Sequence, residues 1–414
     1  MLNTLYPRIH SDYESMPVIG SMLNEFCVWL DKCGYPPVAI RSRVRGSRHI
    51  ANVLRRRRIR SLRGLTAQSL WAIAPQPTSW AAHIARASLR SWTLFLQETG
   101  VLASAPTTPL DECIGAYCRH LATTRGLAPR TIVKHKRRVI EFLHFLGYDG
   151  NHERLRRLRD PDVEAFVRYM GQRLGRASMQ AVVAALRSLF KFLATEGVVS
   201  PHLGAHIDSP RCFRDERLPR ALPWKTVRAL LRAVDRSTPK GRRDYAILLM
   251  AASYGLRSSE IAAVSLDDVS WRSRVIRVPR PKVGSPLSLP LTDDVALALH
   301  EYLRQGRPRS SHREIFLRVR FPLVPITSNT VNDVFDAWAA RAGIRLPFRA
   351  GGPHCLRHSV AVHLLQRGAS TKTIGDLLGH RSAESTSVYL RLQIDDLREV
   401  SIPLPTMGRQ AVRP

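Results

Sequence analysis

The 414-residue chain predicts a mainly α protein: helical modules first, then a C-terminal domain of mixed α+β type. Three observations carry this. From Ser21 to Glu196, apolar residues recur at three- and four-residue spacing, the rhythm of helices that bury one face. Val275–Val278 and Leu287–Leu291 instead alternate at period two, like half-buried strands joined across Pro279–Pro286. Between these parts, residues 201–222 hold Pro201, Pro210 and Pro219 with no sustained period and read as an extended connector. A chain of this length can bury several separate cores.

Residues 1–20 carry little periodic signal and are expected to be partly unstructured. Residues 21–104 form a first helical module and 108–200 a second, and the two read as one unit present twice. Leu89, Arg90, Ser91, Phe95, Leu96, Gly100 and Val101 recur as Leu186, Arg187, Ser188, Phe192, Leu193, Gly197 and Val198, at a constant offset of 97. Earlier, Cys27 and Leu30 answer Cys118 and Leu121, and Pro37 and Ile40 answer Pro129 and Ile132. The changed offset fits a longer loop in the second copy, around Gly147–Asp160. Helical bundles also resemble one another by composition, so duplication is favoured rather than required.

The second module predicts helices over Asp111–Thr123, Ile132–Leu146, Pro161–Leu174 and Ser178–Glu196. In its second helix, Ile132, Val133, Val139, Ile140 and Phe142 are the packing set. Arg130, Lys134, Arg137 and Arg138 supply a basic face. Farther on, helices are expected from Pro223, over Arg242–Ser253 and over Ser328–Ala342. Gly255 would end one helix and Ser258 would help start the next, leaving Arg257 at the junction.

The charge balance narrows the function. Lys and Arg number 64 against 33 acids, a formal net charge of +31. Such an excess repels itself unless a polyanion neutralises it, and nucleic acid is the first candidate. Arg41 to Arg63 holds ten arginines and no acid, including Arg55, Arg56, Arg57 and Arg58. A run of this kind can be a nuclear-localisation signal, but phosphate contact explains it more economically inside a helical module. The alternative polyanion, an anionic membrane, is disfavoured. No run of about 18 apolar residues is present, and the N-terminus lacks a basic-then-apolar leader. The six cysteines show no zinc-like spacing, so free thiols in a reducing cytoplasm are expected.

The stretch around which the chemistry gathers is Gly351–Tyr389. Pro353 precedes an amphipathic helix predicted over Cys355–Gln366, which Gly368 ends. His354 and Arg357 lie one turn apart at its entrance and can reach one target. His380 follows Leu378-Gly379, and Tyr389 follows nine residues later. A permanent cation, two imidazoles and a phenol suit a phosphodiester. Arginine forks onto phosphate oxygens, histidine donates near neutral pH, and a phenol beside cations that favour phenolate can attack phosphorus. Each residue alone is more often a surface or packing residue; their joint spacing changes the reading.

His354-Cys355-Leu356-Arg357-His358, then Leu378-Gly379-His380, Ser385-Thr386-Ser387 and Tyr389 resemble the signature of the tyrosine recombinases, the phage-integrase family. Tyr254-Gly255-Leu256-Arg257-Ser258-Ser259-Glu260 is similar to that family's first arginine motif, about 100 residues upstream. Arg391 stands where many members carry histidine, outside the expected site. The resemblance implies a helical core-binding (SAM-like) domain over 108–200 and a mixed α+β catalytic domain over 223–402. A last helix at Ile394–Val400 would dock on a neighbouring subunit, and 403–414 would be an unstructured tail. It implies Arg257 and Arg357 as phosphate clamps, His354 and His380 as hydrogen-bonding or proton-moving groups, and Tyr389 as nucleophile. Lys282, the one lysine in the hairpin connection, would be the general acid that protonates the leaving 5′ oxygen. Its turn, Arg280-Pro281-Lys282-Val283-Gly284, departs from the usual glycine-rich one. Glu260 is expected to orient neighbouring groups.

The reading is therefore a site-specific DNA recombinase that cuts and rejoins strands through a 3′-phosphotyrosine, serving integration or transposition of a mobile element or plasmid. No cofactor and no metal are implied, since no carboxylate cage accompanies the site. The partner is double-stranded DNA, held by a homotetramer on two sites or by a hetero-assembly with sister recombinases. The alternatives are a DNA-binding regulator without catalysis, which a missing site residue would betray, and a type IB topoisomerase-like enzyme.

Overall fold

The computed structural model describes residues 1–103, 108–148, 152–205, 207–212, 219–280, 285–346, 352–380, 382 and 384–390. The chain forms two compact units. One comprises Met1–Cys27 with Arg41–Glu216, the other Val28–Ile40 with Arg217–Pro414.

The first unit opens with two short helices, α1 (Leu2–Leu5) and α2 (His10–Glu14), so residues 1–20 are structured, contrary to expectation. Leu2, Leu5, Tyr13 and Ile19 are buried. Helices of one turn are too short to show a period, which is why the sequence conceals them. Next come α3 (Leu23–Lys32) and α4 (Pro37–Arg56), of which Val28–Ile40 is counted with the second unit, and then α5 (Ala67–Trp71) and α6 (Trp80–Glu98). The Trp92 ring of α6 stacks on Phe26 at 4.2 Å. Its Nε1 donates to Ser47 Oγ at 2.8 Å, satisfying the one polar atom the buried indole carries. Gly46 lets α4 and α6 approach: a Cβ there would lie 2.6 Å from the Ser88 Cβ.

The second module contains α7 (Pro109–Thr123), α8 (Pro129–Phe145), α9 (His152–Arg156), α10 (Asp160–Gly171) and α11 (Arg176–Thr195). A Thr108–Asp111 capping box with Pro109 at the first position starts α7. Tyr117, Leu121, Val139, Phe142, Phe166, Leu186, Leu189 and Phe190 build its core. Phe142 meets Phe166 and Phe190 edge-on at 5.1 and 5.7 Å. The stretch read as a long loop holds α9, pinned by the buried Leu155. Val133, expected to pack, is 65% exposed; with Arg130, Lys134 and Arg137 it falls on the solvent stripe of α8. By length and composition α11 could cross a membrane. It instead packs Met179, Val182, Leu186, Leu189 and Leu193 into the domain core.

The second unit is built on α13. Its helices α12 (Trp224–Arg232), α13 (Pro239–Tyr254) and α14 (Ser258–Ala263) precede a three-stranded antiparallel sheet, β1 (Val269–Ser270), β2 (Val275–Val278) and β3 (Leu287–Pro290). Ile276 of β2 pairs with Val269 and Leu289, which turns one apolar face of the sheet inward. Then follow α15 (Asp293–Gln305), α16 (Ser328–Arg341), α17 (His354–Gln366), α18 (Thr371–Leu378) and α19 (Glu384–Ser387). Residues Ala246 to Ala252 of α13 are all buried. Such a helix cannot show a clean amphipathic stripe, because neighbours cover it on several sides. Ser359 of α17 accepts from the Leu222 amide at 2.7 Å, fastening the end of the connector. The expected last helix at Ile394–Val400 and the tail lie outside the described residues.

Candidate active site

Three helix ends make the site. Gly255 ends α13 in the left-handed conformation (φ 63°). A Cβ there would lie 2.5 Å from Leu378 Cδ2, so both the turn and the packing require glycine. This turn delivers Arg257 to the N-cap of α14. Glu260 accepts from the Arg257 amide at 2.8 Å and its guanidinium at 2.6 Å. Ser258, expected to help start α14, instead donates to Asn332 Oδ1 at 2.9 Å; Glu260 does the capping.

Arg357, in the first turn of α17, is 2% exposed. Its Nη1 donates to Gly255 O at 2.8 Å and its Nη2 to Leu378 O at 2.6 Å. The guanidinium thus satisfies carbonyls at the negative ends of both α13 and α18, where a cation is favoured. Burial, and then Arg257, push its pKa down to about 10, so it remains charged at neutral pH.

Helix α18 begins at a Ser370 cap, whose Oγ accepts from Thr373 N at 3.0 Å, and ends at Gly379 in the left-handed region. His380 follows. Its Nδ1 lies 2.7 Å from Thr386 Oγ1, so that contact occupies one of its two ring nitrogens. Burial and the arginines Arg357, Arg257 and Arg280 push its pKa down to about 4.

Tyr389 is 3% exposed and packs on Ala361, Leu365, Ile374 and Leu378. Its Oη lies 3.2 Å from His358 Nδ1. Its ring centroid is 6.2 Å from that of His380. Cations were expected to favour phenolate. Here burial outweighs the opposing pull of Arg357 and Arg257, and the phenol sits above its ordinary pKa. His354 is exposed and meets His358 edge-on at 4.7 Å.

The structure therefore brings Arg257, His354, Arg357, His380 and Tyr389 together, while Lys282 lies outside the described residues. Two further residues belong to the cluster. His358, quoted within the motif without a role, touches the phenol. Arg280, an arginine between two prolines with no motif to mark it, is 92% buried at its side chain. It donates to the Gly379 carbonyl and lies 4.0 Å from Glu260 Oε1. Glu260 is thus the carboxylate among three guanidiniums. Removing its charge in Glu260→Gln is expected to destabilise the domain by about 1–3 kcal/mol and to slow strand cleavage. Thermal melting and single-turnover cleavage measure the two effects. An unchanged melting temperature would show that Glu260 does not balance the cluster.

The basic residues of the first unit are on the surface. Arg55 and Arg56 close α4, Arg57 and Arg58 follow it, and all four are exposed. Arg130 and Lys134 are exposed on α8. Arg137 and Arg138 share Glu141, at 3.2 and 2.7 Å. Among the described residues no cluster of His, Cys, Asp and Glu could hold a metal ion.

The model of the phage integrase family matches residues 220–395, and that of the phage integrase N-terminal SAM-like domain matches 114–197. The putative integrase/recombinase y4rA of Sinorhizobium fredii is 35% identical over 325 residues, covering 77% of this chain and 78% of its own. The tyrosine recombinase XerC of Pelobacter propionicus is 31% identical over 301 residues, covering 70% and 94%. In fold the chain is similar to the XerH site-specific recombinase bound to a palindromic difH substrate. The TM-score is 0.56 at 16% identity, over 72% of this chain and 97% of that one. A lambda integrase dimer bound to a COC′ core site gives 0.54 at 18% identity, over 67% and 94%. The chain belongs to the phage integrase family, the tyrosine recombinases.

Proposed function

We propose that this recombinase cuts double-stranded DNA with Tyr389 and rejoins it to a partner strand. The observation that supports the assignment is that the buried Tyr389 and Arg357 lie beside the half-buried Arg257 and His380. Arg257 and Arg357 take the charge that develops on the scissile phosphate, and His380 and His354 hydrogen-bond to its oxygens. The Tyr389 oxygen forms a bond to phosphorus as the bond to the 5′ oxygen breaks. Lys282 supplies that oxygen with its proton. The 3′-phosphotyrosine stores the bond energy, and a 5′-hydroxyl from another strand reverses the reaction.

Arg130, Lys134, Arg137 and Arg138 on α8 contact phosphates from the core-binding domain. Arg55, Arg56, Arg57 and Arg58 do so from the first module, where Arg41, Arg45, Arg48 and Arg55 also share one exposed stripe of α4. The fold relatives crystallised as a dimer and a tetramer on DNA, including a Holliday junction, support a homotetramer or a hetero-assembly here. The place of action is the cytoplasm, at the nucleoid, and the likeness to the putative integrase/recombinase y4rA supports service in integration or transposition of a mobile element or plasmid.

Covalent trapping tests the reading. Purified protein is mixed with nicked DNA fragments flanking its own gene and resolved on a denaturing gel. Wild type is expected to give a protein–DNA adduct, and Tyr389→Phe is expected to bind the same fragment with no adduct. Specific binding without adduct in wild type would leave a regulator instead.

A further inference from the structure

We propose that His358 is the base that takes the proton from Tyr389 as the tyrosine oxygen attacks phosphorus. This rests on the assignment of Tyr389 as nucleophile. The geometry supplies the argument by contact and by exclusion. His358 Nδ1 lies 3.2 Å from Tyr389 Oη, within the reach a general base needs. The other groups nearby are committed or unsuited. Arg357 is a cation whose terminal nitrogens donate to Gly255 and Leu378, and a guanidinium accepts nothing. His380 uses Nδ1 on Thr386, and its ring lies 6.2 Å from the phenol, face to face. His354 is exposed, and its ring meets that of His358 edge-on.

The position on the helix explains why one residue can do this. His358 follows Arg357 directly, so one turn of α17 presents the clamp and the base side by side, and Tyr389 packs against the same helix on Ala361 and Leu365. The groups facing His358 are His354 and Arg357 on its own helix, His380 after α18, Arg220 before α12, and Tyr389. Burial first, then the first four of these, push its pKa down to about 4. At neutral pH the imidazole is therefore uncharged and carries a lone pair. An entering phosphate brings negative charge that opposes Arg357 and Arg220 and restores basicity when attack begins.

The step balances. The Tyr389 O–H bond breaks and its proton passes to His358 Nδ1, giving an imidazolium. The Oη–P bond forms, the P–O5′ bond breaks, and the 5′ oxygen takes a proton from the general acid. In rejoining, the imidazolium returns its proton to the departing phenolate.

The test replaces His358 by asparagine, whose amide reaches the place of Nδ1 and keeps a hydrogen bond but no basicity. Single-turnover adduct formation on a nicked site is followed from pH 6.5 to 9.5 for wild type and His358→Asn. The variants are made with tyrosine or with 3,5-difluorotyrosine at position 389. His358→Asn is expected to react about 10²-fold more slowly at pH 7. Its rate should climb steeply with pH, because the phenolate must now form beforehand, and the more acidic phenol should rescue it far more than wild type. Equal rates, or a slower rate whose pH profile and fluorotyrosine response parallel wild type, would overturn the proposal, since packing alone would then account for His358. Matched melting temperature and DNA affinity exclude misfolding, and His358→Gln is the second variant if asparagine unfolds the helix. An adduct that persists in Tyr389→Phe would instead remove the nucleophile assignment on which the proposal stands.

Discussion

Arg357→Lys is expected to slow covalent adduct formation by about 10²–10³-fold, the loss typical of removing a preorganised donor from a transition-state oxyanion. Charge at neutral pH is nearly conserved in this change; geometry is not. Arg357 holds Gly255 O at 2.8 Å and Leu378 O at 2.6 Å while presenting a planar cation. One ammonium cannot bridge the ends of α13 and α18 and face a phosphate as well. The replacement also adds a pH dependence. Burial and Arg257 already push the arginine down to about 10. A lysine begins about two units lower, so the same surroundings would bring its titration into the mildly alkaline range. Residual cleavage should then fall as pH rises from 7 to 9. Stability should move the opposite way. The folded-state pKa lies below the unfolded one, the unfolded chain binds more protons, and stability therefore rises through that window. Cleavage rates and melting temperatures measured across pH 7–9.5 check both slopes. Parallel slopes would mean that the site does not desolvate this cation.

Asp244→Asn is expected to destabilise the catalytic domain by about 3–5 kcal/mol, the range for breaking a buried ion pair from one side. Asp244 is fully buried, and Arg243 beside it is 4% exposed. Arg243 donates Nε at 3.0 Å and Nη2 at 2.7 Å to Oδ1. Lys240 Nζ at 2.6 Å and Trp338 Nε1 at 3.0 Å share Oδ2. Arg243 Nη1 also reaches Leu317 O at 3.1 Å, so one carboxylate joins α13 to α16 and to the chain before it. An amide keeps the shape, loses the charge and turns a donor toward donors. Urea unfolding followed by tryptophan fluorescence should show an earlier midpoint for the transition that reports Trp338. Replacing Arg243 and Asp244 together by apolar residues should recover much of the loss. A midpoint unchanged by Asp244→Asn would show that the network adds nothing to stability.

What the sequence made legible followed the clarity of local signals. Val275–Val278 alternates, and its strand runs over those same residues. Pro353 and Gly368 bracket α17, and Gly255 closes α13 as a left-handed residue should. The Arg257, Arg357, His380 and Tyr389 cluster was readable because two motifs had fixed spacing. Long-range properties were hidden. Nothing local to Arg280 says that it will be buried against Gly379, 99 positions away. The Tyr389 pKa was misjudged because charge can be counted along a sequence, whereas desolvation depends on Ala361, Leu365, Ile374 and Leu378 closing over the ring. Helix α18 is only eight residues long, too short to show a clear period, although Ser370 and Gly379 mark both its ends.

Tyr389 belongs to a small apolar cluster separate from the main core of its domain. A segment anchored on so little buried area opens at less than the free energy of global unfolding. Amides of α19 and Tyr389 should therefore exchange with deuterium by local opening, while those of α13 exchange only when the domain unfolds. On this expectation the seat of Tyr389 is the first part of the domain to loosen, and the helix that anchors the main core is the last.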